Sequence, residues 1–165
     1  MKEKTILLVE DDPLDVDRVR TALASKGIVN ELVVVNDGQD ALDYLFGTGT
    51  FTGRTLTKLP AMILLDLGLP GVGGMEVLRQ VRTSPLTKLI PVVILSSTTD
   101  DVVINAAYRF GANSYVCKKL DANEFMKAVE QLRIYWLSLT SSTPNHAKMC
   151  LFGTEEQLQN ESVPH

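Results

Sequence analysis

Two acidic groups stand where apolar runs end. Asp66 closes Ala61-Met62-Ile63-Leu64-Leu65 and is followed at once by the turn-forming Gly68-Leu69-Pro70-Gly71. Glu10-Asp11-Asp12 closes Thr5-Ile6-Leu7-Leu8-Val9. If both runs are parallel strands of one sheet, these carboxylates meet at its carboxyl edge, where open α/β sheets place their ligands. Gathering anions there is costly unless a hard cation or a shared proton compensates. Two or three carboxylates, a backbone carbonyl and waters make the octahedral oxygen site that Mg2+ prefers. An aspartate in such a site is a competent nucleophile toward phosphorus, giving an acyl phosphate. A lysine ammonium and a hydroxyl would then stabilise the equatorial phosphoryl oxygens. Lys118 and Ser96, each at the end of a further apolar run, have the right types.

Positioning these groups requires a particular order of elements. Leu7 to Val9, Leu32 to Val35, Ile63 to Leu65 and Val92 to Leu95 are short continuous runs of Val, Ile and Leu, the signature of strands buried on both faces. Ser114-Tyr115-Val116-Cys117 is a weaker fifth. Segments of helical period lie between them. In the first, Asp12 is the expected N-cap, Pro13 suits the first helical position, and Asp15 and Asp17 complement the helix dipole. Val16, Val19 and Leu23 give its apolar stripe, and Gly27 is the expected stop. Further helices are expected from Gly38 to Phe46, Met75 to Thr83 (closed by Ser84-Pro85), Asp100 to Phe110 (stopped by Gly111) and Asn123 to Leu137. The last carries Phe125, Ala128, Val129 and Leu132 on one face. Five alternations predict an α/β fold, a five-stranded doubly wound parallel sheet with helices on both faces. With the first, third, fourth and fifth strands adjacent, Glu10, Asp11, Asp66, Ser96 and Lys118 share one edge.

Bulk properties narrow the function. At 165 residues the chain fits one domain, expected over 1–137, with 138–165 as a tail and no separate domain. Gly47 to Leu59 reads as a long connection of functional or mobile type. Ser138 to Asn145 reads as a linker, with a short helix around Thr154 to Gln159. The net charge of -4, without a Lys/Arg tract, argues against a nucleic-acid surface. No apolar stretch is long enough for a signal region or a bilayer span, so a cytoplasmic protein is expected. The two histidines, His146 and His165, lie in the tail, which excludes a His-based triad or zinc site in the body. Cys117 and Cys150 have no metal-ligand or redox spacing and read as reduced thiols.

Taken in order, Leu8-Val9-Glu10-Asp11-Asp12, Leu64-Leu65-Asp66-Leu67-Gly68-Leu69-Pro70, Gly74, Pro91-Val92-Val93-Ile94-Leu95-Ser96 and Gly111-Ala112-Asn113-Ser114-Tyr115-Val116-Cys117-Lys118 resemble the receiver domain of two-component response regulators, the CheY-like fold, over Lys4 to about Leu137. The resemblance implies that Asp66 is the phosphoacceptor, that Asp11 binds Mg2+ with Glu10 assisting, and that the Gly68 carbonyl is a further ligand. Ser96 would hydrogen-bond the phosphoryl group and Lys118 pair with it. Tyr115 would be the aromatic switch, moving inward as Ser96 is drawn to the phosphate. It implies a regulator that is not an enzyme in its own right, phosphorylated by a sensor histidine kinase and assisting its own phosphorylation and dephosphorylation. Without an output domain it would signal by protein contact and not by binding DNA. The Gly47 to Leu59 loop and Tyr135-Trp136-Leu137 resemble stand-alone regulators of phytochrome-type kinases, and exposed apolar residues at that helix end would suit a homodimer.

Departures from the family pattern are specific. Lys119 stands where proline commonly follows the lysine, often across a cis bond, which for a non-proline residue costs about 3–4 kcal/mol. The bond is therefore either trans in an altered loop or cis and strained. Gly68 lacks a side chain that would shield a phosphoryl group from water, and Gly73 replaces a common acidic residue without a derivable consequence. Rival functions fit the residues less well. A haloacid-dehalogenase-type phosphatase with an Asp nucleophile wants a second Asp two residues on, where Gly68 stands. A flavin carrier needs a phosphate loop after the first strand, where Glu10-Asp11-Asp12-Pro13 would repel it. A phosphorylation-independent, receiver-like interaction module would not need the complete set of acceptor, acid pair, hydroxyl and lysine.

Overall fold

A computed structural model of the chain describes residues 4–24, 30–139 and 149–151. The strands are β1 (Ile6–Val9), β2 (Leu32–Val35), β3 (Met62–Asp66), β4 (Val92–Ser96) and β5 (Ser114–Cys117). The helices are α1 (Pro13–Ala24), α2 (Gly38–Phe46), α3 (Gly74–Thr83), α4 (Asp101–Arg109) and α5 (Ala122–Arg133). All pairings are parallel, in the order β2-β1-β3-β4-β5, as the apolar runs imply. Alternate strand residues feed two apolar layers. Leu7, Val9, Ile63, Leu65, Ile94 and Tyr115 face α2, α3 and α4. Ile6, Leu8, Leu64, Val93, Leu95 and Val116 face α1 and α5.

Local chemistry sets the helix ends. The Leu14 N–H donates to Asp12 Oδ1 at 2.9 Å, so Asp12 caps α1. Asp37, Asp100 and Asp121 cap α2, α4 and α5 in the same way. Ser84, held extended before Pro85, ends α3, and Gly111 with φ +102° ends α4. Gly27, the expected stop of α1, lies outside the described residues. The same is true of the expected Thr154 to Gln159 helix and of the linker beyond Leu139.

Three features depart from expectation. A sixth strand, β6 (Met149–Leu151), pairs in parallel with β5, Cys150 opposite Tyr115. Three residues are too few to show an alternating pattern, so this strand left no local trace in the sequence. The Gly47 to Leu59 connection is built: a 3-10 turn at Gly49–Phe51 seats Phe51 edge-on to Tyr44 at 5.2 Å. The Arg54 guanidinium lies 3.8 Å over the Tyr44 ring and donates to the Tyr44 carbonyl at 3.0 Å. Finally, the helix end expected to be exposed is not. α5 runs on into a π-helical turn (Ile134–Leu139), where Trp136 and Leu137 are only 4% and 6% accessible and join the α1/α5 layer. Trp136 follows Leu132 by four residues and Val129 by seven, so it continues the buried stripe. The apolar face offered as ground for a homodimer is therefore core. Among the described residues, no helix is long and apolar enough to cross a membrane.

Candidate functional site

The strand registers place the chemistry. Val9 pairs with Leu65, Asp66 with Leu95 and Ser96 with Cys117, so Glu10, Asp66, Ser96 and Lys118 emerge at one edge. They line an open cleft of about 700 Å³ together with Asp11, Asp15 and Gly68. Carboxylate oxygens of Glu10, Asp11 and Asp66 lie within 4.8 Å of one another, with Glu10 and Asp66 buried and Asp11 exposed. The Lys118 ammonium sits among carboxylates, 2.5 Å from Glu10 Oε2, 3.0 Å from Asp15 Oδ2 and 3.2 Å from Asp66 Oδ2. Asp66 Oδ1 accepts the Gly68 N–H at 3.0 Å. The peptide bonds of the described residues are trans, Lys118–Lys119 included.

Ser96 Oγ accepts the Thr98 N–H at 3.2 Å. Tyr115 is fully buried and its hydroxyl donates to the Thr98 carbonyl at 2.9 Å. Burial pushes the Tyr115 phenol up, with a hydrogen bond to Ser96 opposing. Ser96 and Tyr115 thus share the β4–α4 loop, and the ring is already inward. A side chain at 68 would start beside the acceptor carboxylate, since a Cβ there would lie 3.7 Å from Asp66 Oδ1 and 3.9 Å from Oδ2.

Three carboxylates on one ammonium, with the Asp11 carboxylate close by, leave excess negative charge. Burial pushes the Glu10 carboxyl up from 4.5 to about 7, against the contact with Lys118 and the Asp12 N–H, with the nearby Asp66 charge adding to the rise. Burial also disfavours the Lys118 ammonium, but Glu10, Asp15 and Asp66 outweigh it and raise its pKa. Glu10 Oε2 is buried and its partner is the Lys118 ammonium. Oxygen-only donors and surplus negative charge fit a hard divalent cation, which Glu10, Asp11 and Asp66 would hold.

The raised Glu10 value has a testable sign. Folded protein binds this proton more tightly than the unfolded chain. Its contribution to stability is therefore full below about pH 4.5 and lost as pH rises through about 7. The Lys118 contribution stays constant across that window because both its folded and unfolded values lie above it. In chelator, wild type is expected to lose on the order of 2 kcal/mol between pH 5 and pH 8 from this group, and Glu10→Gln to lack that slope. Urea unfolding at both pH values checks it. An identical slope in the variant would assign the effect elsewhere.

Sequence reasoning named Glu10, Asp11, Asp66, Gly68, Ser96, Lys118 and Tyr115, and the structure brings the first six to the cleft and Tyr115 behind Ser96. It read Asp15 only as a dipole partner, yet Asp15 touches the Lys118 ammonium. Its signal was its position, one helical turn after the acid pair on the same helix start.

The sheet order, the two helical layers and this acidic edge with its lysine define a receiver-type α/β domain. The chain belongs to the response regulator receiver domain family, whose model matches residues 6–130. It is 39% identical over 137 residues to the probable methanogenesis regulatory protein FilR2 of Methanothrix harundinacea, covering 83% of this chain and 86% of that one. It is 34% identical over 134 residues to the response regulator Rcp1 of Synechocystis, covering 81% and 89% respectively. Among solved structures, the phosphorylated cyanobacterial phytochrome response regulator RcpA superposes with a TM-score of 0.77 at 34% identity, covering 87% of this chain and 99% of that one. The Mn(2+)-bound form of Rcp1 gives 0.76 at 33% identity, covering 86% and 99%. The chain is a phosphoacceptor response regulator of two-component signalling, a family that partners with histidine kinases and binds a divalent metal at an acidic pocket.

Proposed function

We propose that Asp66 accepts the phosphoryl group. The observation that carries this is the Lys118 ammonium 3.2 Å from Asp66 Oδ2, beside three carboxylates whose oxygens converge within 4.8 Å. An Asp66 carboxylate oxygen attacks the phosphorus of a partner kinase's phosphohistidine. The P–N bond breaks, its electron pair leaves on the imidazole nitrogen, and an acyl phosphate forms on Asp66. Glu10, Asp11, Asp66 and the Gly68 carbonyl would hold Mg2+. When bound, that cation neutralises charge on the phosphoryl oxygens. Lys118 moves from the carboxylate to a phosphoryl oxygen, and the Ser96 hydroxyl donates to another. Tyr115 is already inward, so it would not swing in with Ser96 as the switch expectation has it but would hold that shift in place, and the α4–β5–α5 face repacks as a two-state element.

Incubation with Mg2+ and a small phosphodonor tests this. Wild type is expected to gain the mass of one phosphoryl group and Asp66→Asn none. No gain in wild type would favour a receiver-like module that is never phosphorylated.

The kinase proposed is of phytochrome type, because RcpA is a phytochrome response regulator by name and is similar to this chain along most of its length. The receiver unit is proposed to span 1–137, to act in the cytoplasm, and to signal by protein contact without binding DNA. With Trp136 and Leu137 in the core, no dimer is proposed from that helix end.

Return to the resting state is proposed to occur by in-line attack of water on the Asp66 phosphoryl group, assisted by the same site. Because no side chain projects from position 68, the phosphoryl group is open to that water. Gly68→Asn is expected to lengthen the phosphoryl lifetime by about tenfold. Decay of phosphorylated protein followed after removal of donor measures it, and an unchanged lifetime would remove the role given to Gly68.

A further inference from the structure

The grip on Lys118 comes from an unexpected quarter. Its backbone amide donates to the Ser96 carbonyl at 2.8 Å, which ends the β4–β5 ladder. Beyond that point the strand pairing no longer constrains the loop, and Lys119 cannot fix φ as a proline would. Arg18, on the second turn of α1, reaches across and fills that gap. Its Nη1 donates to the Lys118 carbonyl at 3.0 Å and its Nη2 to the Leu120 carbonyl at 3.3 Å. The guanidinium plane lies 4.2 Å over the Phe125 ring of α5, which fixes its orientation. Asp15 then ties the two cations together, with Oδ1 3.3 Å from Arg18 Nη1 and Oδ2 3.0 Å from the Lys118 ammonium.

We propose that Arg18 and Asp15 are positioning residues that hold Lys118 at Asp66, Arg18 by the loop carbonyls and Asp15 by the ammonium. The chemistry selects arginine at 18. A planar fork with two separate donor nitrogens reaches the Lys118 and Leu120 carbonyls and the Asp15 carboxylate at once, whereas the three donors of a lysine radiate from one nitrogen. Asp15 has a complementary task. When the Asp66 carboxylate becomes an acyl phosphate, the ammonium keeps Asp15 as a fixed partner while its contact with Asp66 is exchanged. The pair thereby supplies the local rigidity that a trans, proline-free loop lacks.

This inference rests on the assignment of Asp66 and Lys118 to phosphoryl binding, and the experiment separates the two. Affinity for beryllofluoride, a phosphoryl mimic, is measured at saturating Mg2+ by fluorine NMR on the full chain. Lys118→Ala is expected to weaken it strongly. Arg18→Ala is expected to weaken it about tenfold, with Arg18→Lys no better, while Mg2+ affinity without beryllofluoride stays within about twofold. In the Lys118→Ala background, Arg18→Ala is expected to have no further effect. A merely structural arginine would weaken binding equally in both backgrounds, which would overturn the proposal. So would Arg18→Ala matching wild type while Lys118→Ala is weakened, an outcome that leaves the phosphoryl site standing. If Lys118→Ala itself has no effect, the assignment of the site fails and the positioning role falls with it.

Discussion

Lys118→Ala is expected to slow phosphoryl transfer to Asp66 by about 100-fold or more, while Mg2+ binds more tightly than to wild type. Both effects come from one geometry. The ammonium stands 3.2 Å from Asp66 and 2.5 Å from Glu10, where it occupies the negative charge that a cation would use. Removing it leaves Glu10 and Asp66 without their cation, while Asp15 keeps Arg18, so a divalent ion gains what the lysine gave up. The transition state loses a charged donor aimed at the phosphoryl oxygens, and no solvent donor held in place replaces it. Calorimetric titration with Mg2+ and initial rates with a small phosphodonor separate the two. Loss of Mg2+ affinity in parallel with rate would mean that Lys118 organises the metal ligands instead of competing with them.

Gly74→Ala is expected to destabilise the fold by about 3 kcal/mol and to displace the acceptor. A Cβ at 74 would stand 2.2 Å from the Asp66 carbonyl oxygen and 2.8 Å from the Leu67 Cα. Both obstacles are backbone, so no side-chain rotation relieves the contact. The start of α3 must shift, or the end of β3 must, and β3 carries Asp66. Its neighbour provides the control. Gly73 has nothing within 4 Å of a would-be Cβ and is the N-cap of α3, where serine is favoured. Gly73→Ser is expected to lie within about 0.5 kcal/mol of wild type. Urea midpoints for the two variants check the contrast, and a Gly74→Ala protein as stable as Gly73→Ser would contradict the close approach.

The architecture was legible in the sequence because its strands are buried on both faces and read as unbroken Val, Ile and Leu runs. α2, expected from about Gly38 to Phe46, spans those residues, and its caps Asp37 and Gly47 mark its ends with their own chemistry. The site was legible because Asp66 and Ser96 end a strand and Glu10 and Lys118 directly follow one, so strand ends and site residues coincide in the chain. Contacts between elements distant in sequence were not legible. Arg82 is an example. It is half-buried and donates to the Gly111 and Ile90 carbonyls and to Asn113 Oδ1, joining the α3–β4 and α4–β5 loops, which no periodicity connects. Arg18 on Lys118 and β6 on β5 are hidden for the same reason. Trp136 differs in kind: a helix-end aromatic suggests surface, yet its spacing from Val129 and Leu132 continues the buried stripe.

Locating the phosphoryl group on the chain tests its assignment to Asp66. Protein phosphorylated in the presence of Mg2+ is reduced with borohydride, which converts an acyl-phosphate aspartate to homoserine, and the peptides are mapped by mass. The expected result is homoserine at position 66 alone, with none in protein that received no donor. Homoserine at Asp11 or Asp12 in place of Asp66, or undiminished labelling of Asp66→Asn, would contradict it.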